Sequence, residues 1–212
     1  MMWFWLSLVA ILFWSGSDLF SKMGSKPDDR YSHWKMIMAV GTVMGIHATI
    51  ELCLGVPFGL RDILTYLPVS FLYIFAMWIG YVGLRYVVLS VSTPICNSSG
   101  AVAALLCFLF LNQKMNGLQL FAVVLISIGV FTLSLLEKKQ EDQERLQNGI
   151  TVDKKYVSSF IAIFFPIFYC LLDGLGTFAD ALVLDRYIKE ESANIAYEYT
   201  FFLLAIFAFF YV

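Results

Sequence analysis

The sequence predicts an all-α polytopic membrane protein. Its 212 residues are 60% hydrophobic and only 14% charged, with a mean hydropathy of +0.77. A soluble domain of this length needs a far more polar surface. Apolar stretches of about 20 residues recur along the chain, each long enough to cross a bilayer as a helix. Short connections rich in turn residues and charge separate them: "GSKPDDRYSH", "VPFGLRDILTYLP", "NQKMN", "EKKQEDQERLQNGITVDKK" and "DALVLDRYIKEES". Helix is the expected form, because lipid offers no partner to an open backbone. The apolar runs are also too long and too uniform for barrel strands, which alternate.

About seven transmembrane helices are expected, near 2–23, 35–55, 69–89, 91–111, 117–137, 156–178 and 194–212. The first run has no basic leader and no small-residue cleavage site, so it reads as a retained span and not a signal peptide. Residues 1–137 form a first five-helix unit. Residues 138–155 form a polar linker, and with Glu137 that stretch balances five acids against five bases. Residues 156–212 begin a second unit of two helices.

The second unit resembles the first. Sliding the chain by 155 positions lays "FWSGSDLFS" (13–21) over "FYCLLDGLG" (168–176), pairing Trp14 with Tyr169 and Asp18 with Asp173. An odd number of helices per unit makes this an inverted repeat, a common transporter plan. The chain stops within the apolar "FFLLAIFAFFYV", so the second repeat is expected to be truncated. Its apolar face then calls for missing C-terminal helices or a homodimer.

Asp18 is the residue whose presence demands a reason. A central Asp costs roughly 2.5–3.5 kcal/mol on insertion, and each Leu, Ile, Phe or Val returns about 0.3–0.6. The first span holds nine of those residues, so it tolerates Asp18 without being rewarded for it. Lys22 follows at i+4 on the same face. One reading is a helix-end ion pair. The other is a substrate or ion site facing the bundle interior, which the recurrence at Asp173 favours because residue 177 is no lysine. An ammonium beside a carboxyl favours its charged form and burial its neutral form, so such a pair poises an acid between states.

The fourth span opens with "STPICNSSGAVAALL". Asn97 and Ser98 bring polar groups into an apolar helix and are candidates for a polar cavity. Gly100 and the neighbouring alanines allow close helix contact. Trp14, Trp78 and Tyr81 are candidate lining aromatics, although lipid-facing aromatics are as common. Glu51 follows His47 by one turn, with Glu198 early in the seventh span as a loose counterpart. Arg85 reads as a helix-end charge.

Other chemistries find no support. The net charge of −2 argues against a nucleic-acid partner. Cys53, Cys96, Cys107 and Cys170 form no CxxC pair, and two histidines are few for a metal site, so neither zinc nor a disulfide framework is expected and the cysteines read as buried small hydrophobes. "GLGTFA" (174–179) follows no strand, so it is not a dinucleotide loop. No P-loop, HExxH or nucleophile–base pair occurs, so neither an enzyme nor a cofactor is expected.

"LFWSGSDLFSK" (12–22) resembles the first helix of EamA-type members of the drug/metabolite transporter superfamily. Residues 81–137, with "TPICNSSG", "FLFLNQK" and "QLFAVVLISIGV", resemble that family's third-to-fifth helix block. The resemblance implies inverted five-helix repeats and a cavity lined by the first, third and fourth helices of each. It also implies alternating-access secondary transport of small metabolites or drugs, proton- or ion-coupled, in a bacterial plasma membrane. The related small multidrug resistance proteins use a first-helix acid as their cation site, and Asp18 is similar in kind. A membrane scaffold without transport is the alternative, and it predicts a dry, closed bundle. Orientation stays open. The positive-inside rule puts the N-terminus outside, because the connections after odd-numbered spans hold ten basic residues and those after even-numbered spans hold four. Relatives place it inside.

Overall fold

A computed structural model describes residues 2–111, 116–147 and 160–212. Among them are eight helices and no strand: α1 (Met2–Gly24), α2 (Ser32–Cys53), α3 (Leu60–Gly83), α4 (Leu89–Asn97), α5 (Ser99–Phe110), α6 (Gly117–Gln147), α7 (Phe160–Arg186) and α8 (Glu190–Tyr211). Six stretches are long and apolar enough to cross a membrane: α1, α2, α3, α4 and α5 taken together, α7, and α8. The apolar part of α6, Gly117–Val130, is shorter. This is a polytopic all-helical membrane protein.

The helix ends depart from expectation for local reasons. The third helix starts near residue 60, not 69, because Gly59 and Asp62 build its start. The Asp62 carboxylate accepts the Gly59 N–H at 2.7 Å, satisfying a donor that a helix start leaves open. Pro68 lies inside this helix instead of closing the connection before it. The fourth span is broken at Ser98, where α4 ends and α5 begins. The sixth helix runs on to Gln147, ten residues into the polar stretch 138–155, whose Glu, Lys, Gln and Arg are good helix formers. Residues 148–155 lie outside those described. The sixth span extends to Arg186, which makes Asp180 a helix residue and not a connection charge.

Close seams join α2 to α8 and α3 to α7. Small residues set their spacing. A methyl group built on Gly41 would lie 2.7 Å from the Ala205 Cβ and 2.8 Å from the Phe201 carbonyl oxygen. Gly174 has the same role between α7 and α5, where the Ser99 carbonyl would be 3.0 Å away. Gly100, expected to be the contact glycine of that region, meets nothing within 4 Å. The packing glycine is supplied by α7 instead. Cys107 and Cys170 are buried as expected, whereas Cys53, at the end of α2, is exposed.

The first helix packs more sparsely. Most of its large apolar side chains, such as Phe13 at 75% exposed, face outward, where lipid is their solvent. Its last turn is tied down by charge. The Lys22 ammonium donates to the carbonyls of Leu84 at 2.6 Å and Val87 at 2.7 Å. Arg85 answers from the other side, donating to the carbonyls of Lys26 at 3.3 Å and Pro27 at 3.0 Å. The α1–α2 connection is further braced by Lys35 on Asp29 at 2.6 Å. That bond, with the Tyr31 N–H, holds the Asp29 carboxyl below the ordinary carboxylate range.

The Gly41 contact generates a stability prediction. Gly41→Ala forces a methyl against backbone, and overpacking of this kind costs about 1–3 kcal/mol. Its thermal midpoint in detergent is expected to fall measurably, while that of Gly100→Ala stays at the wild-type value. Equal midpoints for both would show that the α2–α8 seam is not close-packed.

Candidate functional site

Helical spacing decides which side chains meet inside the bundle. On α1, Ile11, Trp14, Ser15 and Asp18 recur at three and four residues and form one stripe. On α7, Tyr169 and Asp173 are one turn apart. The α4 helix contributes Thr93, Cys96 and Asn97, and the break at Ser98 turns Ser99 of α5 toward the same space. Together these residues line a cavity of about 930 Å³. A recess of about 80 Å³ adjoins it and adds Ser17, Ser21, Tyr81 and Ser92. No Lys, Arg or His lines either space.

The cavity brings together four of the eight residues singled out from sequence, Trp14, Asp18, Asn97 and Asp173, and Tyr81 lines the adjoining recess. The other three lie elsewhere. Lys22 is one turn beyond Asp18, with its ammonium on the Leu84 and Val87 carbonyls. Trp78 lies in an apolar groove with Trp34, Phe71, Phe75 and Phe207, stacked on Phe75 at 5.8 Å. It packs against the same apolar cluster as Tyr81, but Tyr81 lines the recess and Trp78 does not. Ser98 donates to its own helix at the Ile95 carbonyl, 2.6 Å away, and touches the Cys170 sulfur at 3.2 Å.

Sequence reasoning did not single out Ser99 and Tyr169. Ser99 donates to the Asp173 carboxylate at 2.6 Å, giving that acid a partner within the protein. Tyr169 carried a signal, because it falls opposite Trp14 in the 155-residue slide. Both members of that pair, and both members of the pair Asp18 and Asp173, line the one cavity.

A second polar track leaves the cavity along α7. Asp173, Thr177 and Asp180 share a face at i, i+4 and i+7. Tyr73 of α3 meets the Thr177 hydroxyl at 3.2 Å, and the Tyr66 hydroxyl donates to Asp180 at 2.6 Å. Polar groups at membrane depth are costly unless paired or facing a cavity, and those of α7 meet one or the other condition.

Membrane-crossing helices beside a partly polar, open cavity fit the class that the family comparison shows, a membrane transporter of small molecules. The chain belongs to the EamA-like transporter family, whose family model matches residues 1–135. No curated protein and no solved structure matches it.

The Ser99–Asp173 bond is testable by a double-mutant cycle. Ser99→Ala, Asp173→Asn and the double variant are expected to show a coupling energy of at least about 0.5 kcal/mol, as for residues in contact. Additive effects on unfolding in detergent would separate the two side chains.

Proposed function

We propose that the protein is a secondary transporter working by alternating access, in which Asp18 and Asp173 couple solute movement to protons or another cation. The observation that carries this reading is the meeting of two acids and two aromatics, 155 residues apart in each pair, on one cavity. In this reading 1–137 and 156–212 are inverted repeats joined through 138–155, and the cavity lies between them. The solutes are carried across a plasma membrane. Further helix, from a second copy of the chain or from the same polypeptide, closes the cavity along α1.

The lining also favours a class of solute. Two carboxyl groups without a lysine, arginine or histidine make the cavity attractive to cations. Trp14 and Tyr169 are among the lining residues, and aromatic rings attract an ammonium through the ring quadrupole. A cavity of about 930 Å³ lies in the range that holds drug-sized ligands, about 300–1,000 Å³. Organic cations and zwitterionic metabolites with an apolar part are the fitting solutes.

Asp18→Asn keeps the side-chain shape, removes its charge and removes an insertion cost, so expression is expected to hold. Wild-type proteoliposomes loaded with a pH-sensitive dye are expected to report proton movement when aryl-ammonium cations or zwitterionic amino acids are added on one side. Asp18→Asn is expected to abolish that signal. If it moves solute normally at every pH, the acid is only a helix-end charge and coupling lies elsewhere.

A further inference from the structure

Away from the cavity, the α2–α8 seam gathers His47, Glu51 and Glu198. No residue lining the cavity lies on either helix. The His47 Nδ1 is 2.9 and 3.0 Å from the two Glu198 carboxylate oxygens. The Glu51 Oε1 is 4.0 Å from His47 Nε2. One ring nitrogen and one oxygen from each acid lie within 4.8 Å of one another. Two helices distant in sequence thus converge three metal-ligating groups.

Position makes the grouping expensive. His47 lies six residues before the end of α2, about 9 Å in from that end at 1.5 Å per residue. Glu198 lies eight residues into α8, about 12 Å in. These ends belong to one membrane face, because Ser192 of α8 donates to the Pro57 carbonyl just past α2 at 2.9 Å. Two carboxylates with one neutral imidazole carry a charge of −2, and a protonated imidazole still leaves −1. A divalent cation on the neutral imidazole brings the group to zero, which suits membrane depth. A second observation points the same way. The Glu51 Oε2 is buried and has no hydrogen-bond partner among the described residues, so this acid has coordinating capacity unspent.

We propose that His47, Glu51 and Glu198 form a binding site for a divalent zinc-type cation that fastens α2 to α8. One nitrogen and two carboxylate oxygens are a donor set that suits zinc, at about 2.0–2.2 Å each, with water completing a tetrahedron. The ion replaces the proton shared by His47 and Glu198, which leaves to solvent, and draws in Glu51. The site is distinct from the cavity and does not depend on what the cavity carries.

The test uses the full chain in lipid nanodiscs, stripped with a chelator and titrated with Zn²⁺ by calorimetry. Co²⁺ absorbance serves as a second readout of coordination. The wild type is expected to bind one ion per chain and to gain thermal stability from it. His47→Ala and Glu198→Gln are each expected to weaken binding at least tenfold. Glu51→Gln, at a residue His47 touches only at 4.0 Å, is expected to fold normally and also lose at least tenfold. Absence of stoichiometric binding by the wild type overturns the proposal. So does binding that all three substitutions leave unchanged. A fall in the metal-free midpoint of Glu198→Gln, with no zinc binding by the wild type, would show a hydrogen-bonded clamp only and would also overturn it.

Discussion

The hydrogen bonds from the Lys22 ammonium to the Leu84 and Val87 carbonyls hold α1, and with it one wall of the cavity, in place. The α1 helix packs sparsely and presents most of its apolar surface outward. A helix that lipid solvates as well as protein does gains little from docking by hydrophobic burial. Its position must come from polar contacts. The Leu84 carbonyl, at the C-cap of α3, has no helical N–H to satisfy it and sits at the negative end of the helix dipole, and the Val87 carbonyl lies in the connection just before α4. A lysine one turn past Asp18 supplies both needs. Arg85 makes the reciprocal contact with the Lys26 and Pro27 carbonyls, so each connection is capped by a cation from the other. Asp18 is thereby set on the cavity, one turn above a fixed point.

The inner helices are held differently. Between α2 and α8, and between α3 and α7, glycines allow backbones to approach until side chains of one helix touch the backbone of the next. Polar pairs tie helices together: Tyr66 with Asp180 and Tyr73 with Thr177 between α3 and α7, Ser99 with Asp173 between α5 and α7, and His47 with Glu198 between α2 and α8. Each pair joins elements far apart in sequence. Close packing gives the seams their spacing, and these pairs give them register. The cavity is where α1, held by charge, faces α7, held by packing.

Class and family were legible because hydropathy and the quoted motifs are local features. The meeting of Trp14, Asp18, Asn97 and Asp173 was legible for a similar reason. Polar residues in apolar helices have few stable places to face, and the 155-residue slide linked the acids. Other features depended on contacts that spacing does not encode. Lys22 reads as a partner of Asp18 because i+4 pairs are visible in sequence, whereas carbonyls 62 and 65 residues away are not. Trp78 and Tyr81 share one side of α3 and one apolar cluster, yet Trp78 is drawn into the groove of Trp34 and Phe75 while Tyr81 reaches the recess beside Asp18. Asp180 reads as a connection charge until Tyr66 gives it a partner inside the bundle. Ser98 and Ser99 are chemically alike, and only the helix break between α4 and α5 directs one to its own backbone and the other to Asp173. Glu198 needed the α2–α8 seam before His47 could be seen as its partner.

The central claim is that positions 18 and 173 face one water-accessible space inside the bundle. It is tested most directly by replacing the four native cysteines, installing Asp18→Cys or Asp173→Cys singly, and applying a small membrane-impermeant thiol reagent to reconstituted protein. Leu125→Cys, at an outward-facing apolar position of α6, serves as the lipid-facing reference. The account predicts that both cavity positions react much faster than Leu125→Cys, and that a bulky organic ammonium slows both together. Reaction at positions 18 and 173 as slow as at the lipid-facing reference would contradict it.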